Sequence, residues 1–170
     1  MEMLNKLETK LAGVFKATPK LSGSAKKTIV NFWPIVAVIF GVLQLWSAYG
    51  LWHWGRDVNK VADVFNAYLG TNTVVHHLNV FYWISLVVLA ATGVLLLMAY
   101  PGLKARAKSG WNLLFYSALL NGVYGVFSAF NDYGGAGSLV MQLIVSAIVL
   151  YLLFQIRDQY SGAKSTTKVE

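Results

Sequence analysis

Three histidines, His53, His76 and His77, carry the most versatile side-chain chemistry in this sequence, and all lie between the first two apolar segments. Imidazoles bind zinc, and they also change charge near neutral pH. His76 and His77 are adjacent, so their side chains diverge in regular structure, and the chain has no cysteine to complete a site. The pattern therefore favours ordinary interfacial histidines, and it leaves a weak zinc site and a pH sensor as alternatives.

Three amides, Gln44, Asn121 and Gln142, fall inside apolar segments at similar expected depth. Amides surrounded by lipid need partners, and such pairs between helices contribute about 0.5 to 2 kcal/mol. Two interpretations follow: the three form an intramembrane polar cluster that joins helices, or they line a site for a small neutral or lipidic solute. A proton relay is disfavoured because these segments contain no ionisable residue.

Catalytic patterns are not evident in the sequence. Without cysteine there is no disulfide, iron–sulfur cluster or thiol catalysis, and no paired carboxylates, triad or phosphate loop stands out. An enzyme is disfavoured, and we expect no cofactor.

Positive charge is distributed unevenly along the chain. Of 14 Lys and Arg residues, all but Arg56 and Lys60 lie in segments 1–28, 101–110 and 157–170. Because the basic residues flank apolar segments, they indicate membrane topology rather than nucleic-acid binding, and the positive-inside rule places those three segments in the cytoplasm. The candidates for contact with lipid headgroups are Lys6, Lys10, Lys16, Lys26, Lys27, Lys104, Arg106 and Lys108.

The elements that must position these side chains are apolar helices. The chain is 56% hydrophobic and only 12% charged, which is typical of a membrane protein. Spanning a bilayer takes about 20 helical residues. The sequence predicts an all-α membrane protein that folds as a four-transmembrane-helix bundle over residues 29–156. A basic amphipathic cytoplasmic tail (1–28) precedes the bundle, and a C-terminal cytoplasmic tail (157–170) follows it. The expected spans are 29–49, 80–100, 111–130 and 138–156.

Prolines are expected to mark two boundaries of these spans. Pro34 is expected in the first turn of the first span, and the second span is expected to stop at Pro101.

Two further segments have helical amphipathic spacing. In the N-terminal tail, Leu7, Leu11 and Phe15 recur opposite lysines, which predicts a helix on the anionic leaflet or, alternatively, a docking helix for a partner; disorder is the third interpretation. Segment 57–70 predicts a short external amphipathic helix, with Asp57 as its N-cap and Gly70 as its C-terminal stop.

Small residues recur at helical spacing in two of the spans. The helix-packing candidates are Ala37, Gly41, Ser117, Gly122, Gly125 and Ala129. Small side chains allow two helix backbones to approach closely. The pattern indicates packing within one chain, with a homo-oligomer contact as the alternative.

Three landmarks carry a resemblance: "LNKLETKLAGVFK", then "GWNLLFYSALLNGVYG" followed by "DYGGAGS", and finally "LYLLFQIRDQY". With these, the chain resembles an uncharacterised family of small four-span membrane proteins from reduced-genome, host-dependent bacteria. The resemblance implies the four-span fold, and because the family has no established activity it implies no functional residues.

The function expected from these features is non-enzymatic. We expect an accessory or scaffold protein of the bacterial cytoplasmic membrane whose basic cytoplasmic face contacts membrane lipids or a partner. The partner is either another membrane protein or a second copy of the chain in a homo-oligomer. The alternative is a small channel or transporter for a neutral or lipidic solute.

Overall fold

The computed structural model describes residues 2–70, 78–128 and 136–160. It describes the side chains of residues 6–70, 78–125, 140–141 and 143–160. The protein is helical along most of this described chain. The prediction of an all-α protein is confirmed for these residues. The helices are α1 (Glu2–Lys16), α2 (Gly23–Leu69), α3 (Val80–Lys104), α4 (Lys108–Ser128) and α5 (Ala136–Ile156), followed by a 3-10 turn, Arg157–Tyr160.

Three of these helical regions are long and apolar enough to cross a membrane: α2, α3, and Leu143–Tyr160, which covers most of α5 and the 3-10 turn. They are the helices of a membrane protein. Within the described residues α4 does not reach the same hydropathy, because it contains Asn112 and Asn121 among its apolar residues. The fourth span remains a prediction.

Helix α2 is far longer than a span. Its 47 residues extend about 70 Å at 1.5 Å per residue, against a hydrocarbon core of about 30 Å. Segment 57–69 is helical, and Gly70 ends it in the left-handed conformation (φ 68°) with its N–H bonded to the Asn66 carbonyl. The prediction that Asp57 caps a separate external helix is wrong, because α2 continues through Asp57 without a break and no proline follows Pro34 within it.

The two proline boundaries also differ from the sequence prediction. Helix α2 begins at Gly23, where the Ser22 hydroxyl accepts a hydrogen bond from Ala25 N, so Pro34 lies inside the helix and not in its first turn. Helix α3 continues through Pro101 to Lys104. Proline removes one intrahelical hydrogen bond and does not by itself end a helix that is held by packing on either side.

A tight turn joins α3 to α4. A Cβ on Gly102 would lie 2.6 Å from the Gly110 backbone nitrogen, so the two backbones touch there. Between them Arg106 adopts a positive φ of 51°, and Ala107 N donates to the Gly102 carbonyl at 2.8 Å. This geometry makes α3 and α4 antiparallel neighbours.

The best-packed part of the bundle lies beside this turn. Trp111 stacks on Phe115 with ring centroids 5.3 Å apart, and its indole N–H donates to the Leu153 carbonyl at 2.8 Å. Ile156 and Tyr160 are buried in the same cluster. Further along, α2 and α3 cross at Gly41 and Gly93, where a Cβ on either glycine would lie 3.1 Å from the carbonyl oxygen of the other.

Candidate functional site

Helix α1 is folded against the end of the bundle that carries the α3–α4 turn. Phe15 stacks on Phe154 of α5 at 5.3 Å between ring centroids. Glu8 is only 7% exposed, and its Oε1 accepts a hydrogen bond from Arg157 Nη2 at 2.5 Å and lies 3.7 Å from Lys108 Nζ. The amphipathic helix therefore uses one acidic and two apolar positions, Glu8 with Leu11 and Phe15, to contact its own chain.

The connection from α1 to α2 is held by side chains of α5. Gln155 donates through Nε2 to the Pro19 carbonyl at 3.1 Å, and its Oε1 accepts from Leu21 N at 3.2 Å. The Tyr151 hydroxyl also donates to the Pro19 carbonyl, at 2.8 Å. These contacts fix segment 17–22 across the end of α5.

A cavity of about 390 Å³ lies between α1, this connection and the end of α5. Four of its side chains are cationic: Lys16, Lys20, Lys26 and Arg157. The remaining lining residues are Ala12, Phe15, Phe154, Gln155 and Asp158. We call this the basic pocket; it combines cationic side chains with an aromatic wall.

The described Lys and Arg residues are concentrated at this one end. Arg106 donates to Asn31 Oδ1 at 3.1 Å, which joins the α3–α4 turn to the start of α2. At the opposite end lie only Arg56, whose guanidinium is 5.0 Å from the Trp52 ring centroid, and Lys60, which is 3.6 Å from Asp57.

The predicted headgroup residues lie in α1, at the start of α2 and around the α3–α4 turn, all at the basic end. Lys16 and Lys26 line the basic pocket, whereas Lys20 and Arg157 were not among the candidates. Lys20 lies in the connection between α1 and α2, and Arg157 directly follows α5.

A second cavity, of about 210 Å³, lies between the helices. Gln44 and Asn121 both line it, together with Ser117 and apolar side chains of four helices; we call it the interhelical cavity. Gln44 Oε1 is buried and accepts no hydrogen bond within the described residues. The side chain of Gln142, the third predicted amide, lies outside those that the structure describes.

Most of the small residues singled out by spacing lie at helix contacts. Ala37 is buried, and Gly41 faces Gly93 at the α2–α3 crossing. A Cβ on Gly122 would lie 3.7 Å from Ser146 Oγ of α5. The Ser117 hydroxyl donates to the Leu114 carbonyl at 2.8 Å, within its own helix.

Gly125 is buried as well, and Ala129 lies outside the described residues. Gly93, which contacts Gly41 at the α2–α3 crossing, was not among the candidates.

His53 contacts only its own helix in the described structure. Its Nδ1–H donates to the Tyr49 carbonyl at 3.1 Å, and its ring lies 4.2 Å from the Tyr49 ring between centroids. His76 and His77 lie outside the described residues. Among the side chains that the structure describes, no three of His, Cys, Asp or Glu are grouped to hold a metal ion.

Comparisons of the chain with protein-family models, with curated proteins and with solved structures find no match. The likeness to four-span proteins of host-dependent bacteria stays a prediction, and the candidate sites rest on the geometry described above.

Proposed function

We propose that the chain is a non-enzymatic, multi-pass protein of the cell membrane, of the accessory or scaffold type, whose basic end faces the cytoplasm and contacts anionic lipid headgroups or a protein partner. The observation that carries the proposal is the concentration of lysine and arginine side chains around the basic pocket, at the end of the apolar helices.

The connectivity of the helices supports four spans and a common side for both termini. Helix α3 ends at Lys104 and α5 ends at Ile156, and both ends pack against the same cluster around Trp111. If α3 and α5 both cross the bilayer toward that end, α4 must cross it in the opposite direction to connect them. Helix α2 starts at the same end, beside Arg106, which supports a common side for the start of α2 and the end of α5.

Exposed apolar side chains of α2 suit contact with lipid tails or with a second copy of the chain. Phe40 and Leu43 are each 54% exposed on the described structure, in the part of α2 that would lie in the membrane. Surfaces of this kind are covered by acyl chains or by another helix in a bilayer.

The topology can be tested cleanly because the chain has no cysteine. Ala105, in the α3–α4 turn, and Val64, in the outer part of α2, are both exposed, so each can be replaced by a single cysteine for labelling. A membrane-impermeant maleimide added to intact cells should label Val64→Cys and should label Ala105→Cys only after lysis. The reverse pattern would refute the proposed orientation.

Lipid contact is tested by exchange into nanodiscs of defined composition. The protein should retain phosphatidylglycerol in preference to phosphatidylcholine, and the preference should weaken as salt is raised because surface charge is screened. Equal retention of the two lipids would refute the lipid-binding part of the proposal.

A second candidate function, transfer of a small neutral or lipidic solute, is supported by the unpartnered Gln44 Oε1 beside the interhelical cavity. A buried acceptor without a partner costs about 1 to 3 kcal/mol, and a hydroxyl-bearing ligand would supply the missing donor. Under this proposal Gln44→Leu lowers the flux of glycerol into proteoliposomes, whereas Asn59→Leu, which removes an amide of the same helix outside the cavity, does not. Equal flux in both variants and the wild type would refute it.

A further inference from the structure

The basic pocket contains cations that the described chain does not neutralise. Among the described residues, Lys16, Lys20 and Lys26 form no ion pair, while Arg157 is paired with Glu8 and lies 5.7 Å from the Trp111 ring centroid. One carboxylate, Asp158, lines the pocket with these four cations. Like charges facing one cavity repel each other, so an anion in the pocket would be stabilised.

We infer that the basic pocket binds the phosphate-bearing headgroup of one anionic phospholipid, and that the bound lipid fastens α1 to the bundle. This inference rests on the proposed function and places the lipid contact in the basic pocket. It distinguishes a single site from the diffuse attraction that any lysine-rich surface has for an anionic leaflet.

The chemistry of the lining favours a phospholipid over a free anion. Lysine ammonium groups and the remaining donors of the Arg157 guanidinium suit phosphate oxygens. Phe15 and Phe154 supply an apolar wall that a free phosphate would not use but a glycerol backbone and the start of an acyl chain would. A volume of about 390 Å³ is within the usual range of ligand pockets.

The position of the pocket agrees with the headgroup level of a bilayer. Lys26 lies in the first turn of α2, and Arg157 directly follows α5. Both are therefore at the end of apolar helices, where basic pockets between transmembrane segments receive lipid headgroups.

The bound headgroup would connect four parts of the chain. Lys16 ends α1, Lys20 lies in the connection, Lys26 starts α2, and Arg157 follows α5. One phosphate contacting these side chains would add a link between α1 and the bundle to those formed by Glu8 and Phe15. Lipid binding should therefore slow amide exchange in α1.

The test is native mass spectrometry of the full-length protein after titration with phosphatidylglycerol or phosphatidylcholine. We expect one phosphatidylglycerol to bind more tightly than those that follow. The double variant Lys20→Gln/Lys26→Gln should weaken this first binding at least tenfold. The control Lys27→Gln/Lys104→Gln removes the same charge from the same end, outside the pocket lining, and should change it by less than twofold. Amide exchange of α1, measured in the same samples, should slow on lipid binding in the wild type and the control only.

The outcomes separate the two proposals. If the wild type does not distinguish the two lipids, both the inference and the lipid-binding function are refuted. If it prefers phosphatidylglycerol but the two double variants weaken binding equally, the single site is refuted and the proposed function stands. If glycerol phosphate competes with the lipid at equal concentration, the ligand is a soluble phosphate ester and the assignment to phospholipid is wrong.

Discussion

Glu8 is the residue on which the docking of α1 should depend most. Its side chain is 9% exposed, and it contacts two cations that belong to other helical elements, Arg157 and Lys108. Replacement by alanine removes both contacts while preserving helix propensity, because alanine is the best helix former. The expected effect is therefore on docking and not on the helicity of α1.

The size of the effect follows from the exposure of the two partners. Hydrogen bonds to charged groups contribute about 1.5 to 3 kcal/mol. Because the Arg157 side chain is 39% exposed and Lys108 54% exposed, water partly replaces the lost carboxylate, and we expect the lower end, about 1.5 to 2 kcal/mol. At 1.4 kcal/mol per factor of ten, the undocked population should rise about 10- to 30-fold.

Hydrogen exchange of the α1 amides measures this population. An undocked helix of 15 residues is marginally stable in water, so its amides exchange when it leaves the bundle. In zwitterionic detergent, Glu8→Ala should accelerate α1 exchange by about the same 10- to 30-fold factor. Lys10→Ala removes a charge from the exposed face of the same helix and should leave exchange unchanged.

Two results would refute this reasoning. Equal acceleration in Glu8→Ala and Lys10→Ala would mean that charge on α1, and not the Glu8 contact, controls docking. If Glu8→Ala accelerates exchange as much in an Arg157→Gln background as in the wild type, the two side chains are not coupled.

Two further predictions concern packing and are checked by thermal unfolding in detergent. Gly41→Ala places a Cβ 2.9 Å from Leu97 Cγ and should destabilise the α2–α3 crossing by about 1 to 3 kcal/mol. The control Gly50→Ala adds a Cβ that meets nothing within 4 Å, so it should be neutral or stabilising. Equal effects of the two substitutions would contradict the close crossing. Trp111→Phe removes the indole donor to the Leu153 carbonyl and should lower the free energy of unfolding by about 1 to 3 kcal/mol. Trp46→Phe, at a side chain that is 78% exposed, should lower it little. An unchanged stability in Trp111→Phe would contradict that hydrogen bond.

Hydrophobic segments of the sequence predicted the existence of the helices better than their ends. A run of about 20 apolar residues forms a helix in lipid, because every backbone polar group needs a hydrogen-bond partner within the segment. The ends depend on local contacts that periodicity does not contain. Ser22 starts α2 earlier than expected. Tyr82 packs its ring on Gly55 and donates its hydroxyl to the Leu51 carbonyl at 2.5 Å, between the expected end of the first span at 49 and the expected start of the external helix at 57.

The candidate sites were predictable only in part, because they depend on how separate elements meet. The depth of Gln44 and Asn121 along their segments was sufficient to suggest that they face one space, and both line the interhelical cavity. The basic pocket was not predictable from spacing. It requires α1 to fold back onto α5, a contact between residues more than 130 positions apart in the chain, as in the bond from Tyr151 to Pro19.

The two cavities meet at the last turns of α5. Leu153 lines the interhelical cavity, while its neighbours Phe154 and Gln155 line the basic pocket, as expected for successive residues that point about 100° apart on a helix. Trp111 packs on this turn from α4 through both a ring contact with Phe154 and the hydrogen bond to Leu153.

Such packing makes the end of α5 a fixed wall between the two cavities. Dense cores do not deform continuously, so a ligand in the basic pocket is expected to act on the docking of α1 and not on the shape of the interhelical cavity. Helix α1 is held mainly by one buried carboxylate and one aromatic contact, Glu8 and Phe15, whereas Leu153 and Ile156 are almost fully buried. The lipid-dependent change should therefore be confined to α1 and its connection, and amide exchange in the last turns of α5 should not respond to phosphatidylglycerol.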